Sequence, residues 1–272
     1  MPLLRIITVG FVGTWVGMAM AALPAAPAFA APVTCGSSVT MSIRLDRDLT
    51  CGSGVALELG GRNVILDLGG HTISGSGTGI HSTFGQGATI RNGTIRGFTT
   101  GVFLDRTVGI RIRHIRFIDN GTAVGLSRTV DSTVVANRIV GSGSTGISVF
   151  MSNRGRVVDN ILRGNGVGIT LSFTSNNLVS GNRVTRSGGD GIAVLDSAVD
   201  AVVSGNTASH NGDDGIDVDS TSTTVTRNTA NRNGDLGIEA VPGVTDGGGN
   251  TARRNGNPAQ CTGVVCAPDD DD

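Results

Sequence analysis

Apolar and polar residues alternate along this chain in short bursts that return on one beat. Each burst opens on Gly followed by a β-branched or aliphatic residue: Gly79-Ile80, Gly101-Val102, Gly146-Ile147, Gly168-Ile169, Gly191-Ile192, Gly215-Ile216 and Gly237-Ile238, with Ala123-Val124 in the one remaining slot. Successive positions differ by 22, 22, 23, 22, 23, 24 and 22, which is a solenoid period. A second apolar residue stands two positions after the first, as in Val102 and Leu104, Ile147 and Val149, or Ile192 and Val194. That alternation marks a strand with one buried face.

A column of Asn keeps the same beat. Asn137, Asn160, Asn182, Asn206, Asn228 and Asn250 are separated by 23, 22, 24, 22 and 22. Three residues before them lie Val134, Val157, Val179, Val203 and Val225, and two residues after them Ile139, Leu162, Val184, Ala208 and Ala230. Each turn of chain therefore supplies three short strands and no segment of helical period. The expected fold is all-β, a right-handed parallel β-helix of about nine coils with 22–24 residues per coil. A leucine-rich repeat would need a helical return, and a calcium-binding nonapeptide roll would need a period of about nine residues; neither is present. Stacked Asn side chains can both donate and accept, so the column is expected to bond to itself and to backbone in adjacent coils. A second column, Asn120, Asn165, Asn211, Asn233 and Asn255, is read the same way.

The ends of the chain differ from its middle. Arg5, an apolar run from Ile6 to Leu23 and the closing Ala28-Phe29-Ala30 form a signal peptide over residues 1–30, with cleavage expected after Ala30. No later segment is apolar enough to insert, so no membrane association is expected after cleavage. Residues 31–56 read as an N-terminal cap, 57–256 as the β-helix, and 257–272 as a C-terminal cap with an acidic tail. Four cysteines in an exported chain imply an oxidising compartment. Pairing within each end, Cys35 with Cys51 and Cys261 with Cys266, is the expected choice among three connectivities.

Composition excludes some chemistry. All 21 basic residues are Arg, so Schiff-base and Lys-base mechanisms are absent. The formal net charge of -1 gives no global field for nucleic acid. The only Trp is Trp15, within the signal segment, and there is no Tyr, which removes the usual rings for stacking on sugars.

The opening Cys35-Gly36, then Asp48-Leu49-Thr50-Cys51, then Val64-Ile65-Leu66-Asp67-Leu68-Gly69-Gly70-His71-Thr72-Ile73-Ser74-Gly75 resembles the N-terminal portion of secreted parallel β-helix proteins of the NosD type. Ala88-Thr89-Ile90-Arg91-Asn92-Gly93-Thr94-Ile95 continues the likeness, which covers roughly Cys35 to Asn255. It implies the fold far more strongly than an activity, because pectin and alginate lyases, polygalacturonases, epimerases and phage tail spikes share this repeat. Copper enters only through that resemblance. His71, His81, His114 and His210 are scattered over the coils, and Met41 and Met151 form no cluster with them, so no soft-ligand site is expected.

The candidate chemistry lies in the last coils. Asp217 and Glu239 each follow the first inward residue of a strand and are 22 residues apart, so they are expected side by side on the outer face. Like charges that close call for a shared cation or a retained proton. Asp219 and Asp235 join them as candidate metal ligands, with Ca2+ favoured by an all-oxygen set; Asp190 lies one coil below. Arg186, His210, Arg232 and Arg254 each stand four residues after a column Asn, and the three Arg are candidate contacts for sugar carboxylates. Gly212-Asp213-Asp214-Gly215 resembles the G-D-D segment of polygalacturonases, which makes Asp213, Asp214, His210 and Asp217 the candidate catalytic set. The companion N-T-D, G-H-G and R-I-K segments of that family are missing, as is the D-P-H of alginate epimerases. Arg91, Arg111, Arg113 and Arg116 form a further basic patch, expected to be paired by Asp105 and Asp119. The reading is a secreted β-helix that binds or processes extracellular or cell-wall polysaccharide, with no certain cofactor. The alternatives are a non-catalytic structural solenoid and, behind it, a copper-related accessory protein.

Overall fold

The computed structural model describes residues 33–267. The signal segment and the acidic tail from Asp269 to Asp272 lie outside the described residues. Within them there is no helix, and the strands stack in parallel into a β-solenoid. One face is a sheet of ten strands running from Ser37–Val39 and Val55–Leu59 to Ile216–Val218 and Ile238–Ala240. Two further strand stacks complete each turn, as in Leu178–Ser180 followed by Arg183–Thr185. In two turns the stacks join without a break, Thr89–Arg96 and Arg111–Ile118 each running through as one strand, with the corner still marked by positive φ at Asn92 and His114.

Ten turns are present among the described residues, against about nine expected. The additional turn comes from the segment read as a cap: Ser37–Val39 pairs in parallel with Leu57–Leu59, so the chain already winds as solenoid there. Disulfides join Cys35 to Cys51 and Cys261 to Cys266, as expected.

The inward positions are those the alternation marks. Val102, Val124, Ile147, Ile169, Ile192, Ile216 and Ile238 are all fully buried. On the third stack the inward column runs Ile73, Ile95, Phe117, Ile139, Leu162, Val184 and Ala208, with Ala230 and Ala252 in the last turns. Its side chains shrink toward the C-terminus, where the buried second Asn column bonds to itself from coil to coil. Asn233 Nδ2 donates to the Ala208 carbonyl at 3.1 Å and to Asn255 Oδ1 at 3.0 Å.

The first Asn column is a continuous hydrogen-bonded ladder. Asn137 Nδ2 donates to Asn160 Oδ1, Asn160 to Asn182 and Asn182 to Asn206, each at 3.0 Å, and the chain continues to Asn250. Each Oδ1 also accepts the backbone N–H of the Asn one coil earlier, as for Asn160 and Asn182 at 3.0 Å. The repeated Gly is explained by close approach: a Cβ on Gly146 would lie 2.6 Å from the Gly168 carbonyl oxygen in the next coil.

Candidate functional site

The first sheet positions the acidic residues. Its outward column follows the register Thr170, Ala193, Asp217 and Glu239, so Asp217 and Glu239 are direct neighbours on adjacent strands. Asp213 and Asp214 come from the corner that leads into Ile216–Val218, and Asp190 from the same corner one coil earlier. Carboxylate oxygens of Asp214, Asp217 and Glu239 lie within 4.8 Å of one another, and so do those of Asp190, Asp213 and Asp214. Asp214, buried, is common to both groups.

Burial and repulsion act together here. Burial pushes the Asp217 carboxyl up to about 7, with Asp219, Asp190, Glu239 and Asp213 adding negative charge around it. Burial likewise pushes Asp214 up to about 7, opposed by the Leu236 N–H and reinforced by Glu239 and Asp213. Asp190 is raised by burial first and by its acidic neighbours after that. Asp214 and Asp217 share these acidic neighbours, so they do not behave as independent acids.

Asp190 and Asp214 also do structural work that their motif conceals. Asp190 Oδ1 accepts the Asp214 N–H at 3.2 Å, and Asp214 Oδ1 accepts the Leu236 N–H at 2.7 Å. Like the Asn column, these side chains tie backbone amides across coils, but in the opposite direction, each carboxylate oxygen holding the amide one coil on.

The remaining candidates divide. Asp219 is exposed and Asp235 half-buried, and neither is in the two converging oxygen sets. Arg186, His210, Arg232 and Arg254 hold one corner position with φ between 57° and 60°. The corner is made that way throughout the solenoid, since Gly97, Asp119, Gly141 and Gly164 occupy it in earlier coils with φ also positive. Arg186 and His210 open toward the third stack, where they line a depression of about 290 Å³ with Arg138, Arg163 and Arg183. The structure thus gathers the acids on the first sheet and groups His210 with arginines.

Two features of the outer face escaped the sequence reading. Phe150 and Phe173 meet edge to face with ring centroids 5.7 Å apart, both exposed beside the first sheet. At the other end of the same sheet His81 stacks on Phe103 at 5.7 Å and its Nδ1 lies 2.8 Å from Glu58 Oε2. Only strand register reveals these contacts, because the partners are a full coil apart in sequence. The basic patch is paired differently from expectation: Asp105 holds Arg128 and Arg106, while Arg91 pairs with Asp67 at 2.9 Å.

The histidines do not converge on a metal site. His71 faces Asp48, His81 faces Glu58, and His114 lies beside Arg113. All four cysteines are in disulfides, and Met41 and Met151 are exposed. Among the described residues the convergent donor groups consist of carboxylates alone.

A search of curated proteins returned no match. Among solved structures, the chain is similar to an alginate lyase from Paenibacillus sp. at 14% identity, covering 85% of this chain and 98% of that one with a TM-score of 0.56. It is also similar to the A-module of a mannuronan C-5 epimerase from Azotobacter vinelandii (16% identity, 85% and 80% coverage, TM-score 0.53) and to a periplasmic alginate epimerase (14%, 85% and 73%, TM-score 0.52). At such identities the likeness establishes the parallel β-helix fold alone. The family model described as "Periplasmic copper-binding protein (NosD)" matches residues 37–255, and with the disulfides it describes an extracytoplasmic protein. The chain belongs to the NosD family.

Proposed function

We propose that this protein is a secreted β-solenoid that binds, and at its acidic corner processes, an extracellular acidic polysaccharide with the help of a divalent cation. The observation that carries the reading is the convergence of Asp214, Asp217 and Glu239 on the outer face, two of them held near a pKa of about 7. An all-carboxylate set fits a hard cation, Ca2+ above all, and does not fit copper, which favours imidazole and sulfur. Bound there, Ca2+ would neutralise the cluster and leave coordination positions for a sugar carboxylate. Asp214, Asp217 and Glu239 would hold it. Asp213, exposed at the corner and outside that ligand set, is suited to exchanging a proton with a sugar oxygen or carbon. Phe173 and Phe150, two and three strand spacings from Asp217 (roughly 10 and 15 Å along the stack), offer an apolar platform for a ring. The structures it resembles include an alginate lyase and an alginate epimerase, which supports the substrate class.

A structural role is the second reading, favoured by the hydrogen bonds from Asp214 and Leu236 to the carboxylates one coil earlier. One experiment separates the two. Mature protein is titrated calorimetrically with Ca2+, then run through gels containing alginate or polygalacturonate with Ca2+ or EDTA, while unsaturated-product absorbance and reducing ends are followed. Millimolar or tighter Ca2+ binding with Ca2+-dependent retardation is expected. Absence of both would leave the structural role.

A further inference from the structure

The third strand stack carries a face of arginines that the acidic site does not use. Along its outward column Arg116 is followed by Arg138, Ile161 and Arg183 in direct register, and Arg163 stands beside Ile161 two residues along the same strand. Arg186 follows at the corner. Ile161, 45% exposed, forms the floor of the depression of about 290 Å³, with Arg138, Arg163, Arg183 and Arg186 around it. None of these arginines takes part in an ion pair among the described residues. Their nearest acids along the chain, Asp119, Asp131, Asp159 and Asp190, pair with none of them, and Asp131 is taken by Arg154. In a chain whose net charge is only -1, a run of unpaired guanidinium groups across four coils is a local field of one sign.

We infer that this face is a second binding site, for the anionic groups of a linear acidic polysaccharide lying along the solenoid axis. Adjacent coils present cations at strand spacing, about 4.8 Å, so a polymer with a charge on each residue meets a fork in successive coils. The exposed Ile161 suits the apolar face of a sugar ring. A nucleic acid fits less well, because no Phe, Tyr or Trp lines the depression for base stacking and its one ring is the His210 imidazole. The inference rests on the reading that the ligand is an acidic polysaccharide, but it places binding on a different sheet and makes it independent of Ca2+.

Affinity gels with alginate or polygalacturonate, run in EDTA at low and high salt, test it. Wild-type protein should be retarded in EDTA and released by salt. Arg163→Gln/Arg183→Gln should weaken that retardation at least tenfold, Arg163→Lys/Arg183→Lys less, and Arg111→Gln/Arg113→Gln, on the second stack, hardly at all. Circular dichroism confirms that the variants keep their fold, as expected for exposed side chains. Retardation that appears only with Ca2+ and is indifferent to the Gln pair would overturn this site while leaving the acidic-corner reading standing. Tighter binding to single-stranded DNA than to either polysaccharide would overturn the choice of ligand.

Discussion

Replacing Asp217 by Asn tests the acidic corner through stability, before any substrate is known. The Asp217 carboxyl is pushed from 3.8 to about 7, chiefly by burial and then by Asp219, Asp190, Glu239 and Asp213. Between those two values the folded protein holds a proton that the unfolded chain has released. Stability therefore falls as pH climbs from about 4 to about 7 and levels off above. At 1.36 kcal/mol for each tenfold change in proton affinity, the full penalty is about 4 kcal/mol, and solvent screening of this partly exposed group reduces it to about 2 kcal/mol. Asn removes the charge without breaking a hydrogen bond seen at Asp217. In EDTA at pH 8 the variant should exceed wild type by about 2 kcal/mol, or roughly 4–8 °C in a protein of this size, and at pH 4 the two should coincide. Thermal unfolding by circular dichroism across that range reads the difference directly. Adding Ca2+ should close the gap at pH 8 and slightly reverse it, because the ion stabilises only the wild-type cluster, by about 2.7 kcal/mol at a hundredfold excess over its dissociation constant. An equal difference at both pH values, or a variant less stable at pH 8, would refute the account of a repelling, desolvated cluster.

Other expected outcomes concern the frame that carries the site. Ile169, fully buried, changed to Asp should cost several kcal/mol and abolish soluble folded protein, whereas Ser172→Asp, half-buried on the outer face, should shift unfolding by about 1 kcal/mol or less. Asn182→Ala removes the acceptor of Asn160 N–H and Nδ2 together with the donor to Asn206, which should lower stability by about 3–5 kcal/mol in equilibrium urea unfolding. Opening the disulfide between Cys35 and Cys51, 16 residues apart, should cost roughly 3 kcal/mol in the loop-entropy account and expose the first coil to limited proteolysis before the rest.

What could be read from the sequence and what could not follow from the same geometry. A solenoid converts period into contact, so residues one period apart become neighbours, and the inward Val and Ile columns, the Asn ladder and the pairing of Asp217 with Glu239 were all legible as subtraction. Corners broke the legibility. Arg186 and Arg232 recur on the same beat as the acids, yet a periodic sequence says nothing about which way a corner side chain opens. In the structure Arg186 and His210 join Arg163 and Arg183 on the third stack. The ring pair Phe150 and Phe173 was hidden for the opposite reason: the two lie 23 residues apart at positions that are not equivalent in the repeat.

That geometry also sets the test for function in such a fold. Every outward column brings like residues within strand spacing, so adjacency of carboxylates or of arginines is produced by repetition and carries little information of its own. The informative groups are those whose requirements the repeat leaves unmet. Asn160 and Asn182 satisfy one another's donors and acceptors and are complete as structure. Asp217 has no such partner: it faces a second carboxylate, is desolvated, and holds its proton up to about 7. Arg163 and Arg183 lack a counter-charge in the same sense. A ligand with divalent positive charge completes the first group, and one with regularly spaced negative charge completes the second. An acidic polysaccharide binding together with Ca2+ would supply both kinds of charge, so the two proposals call on one substrate class for two sheets of opposite character.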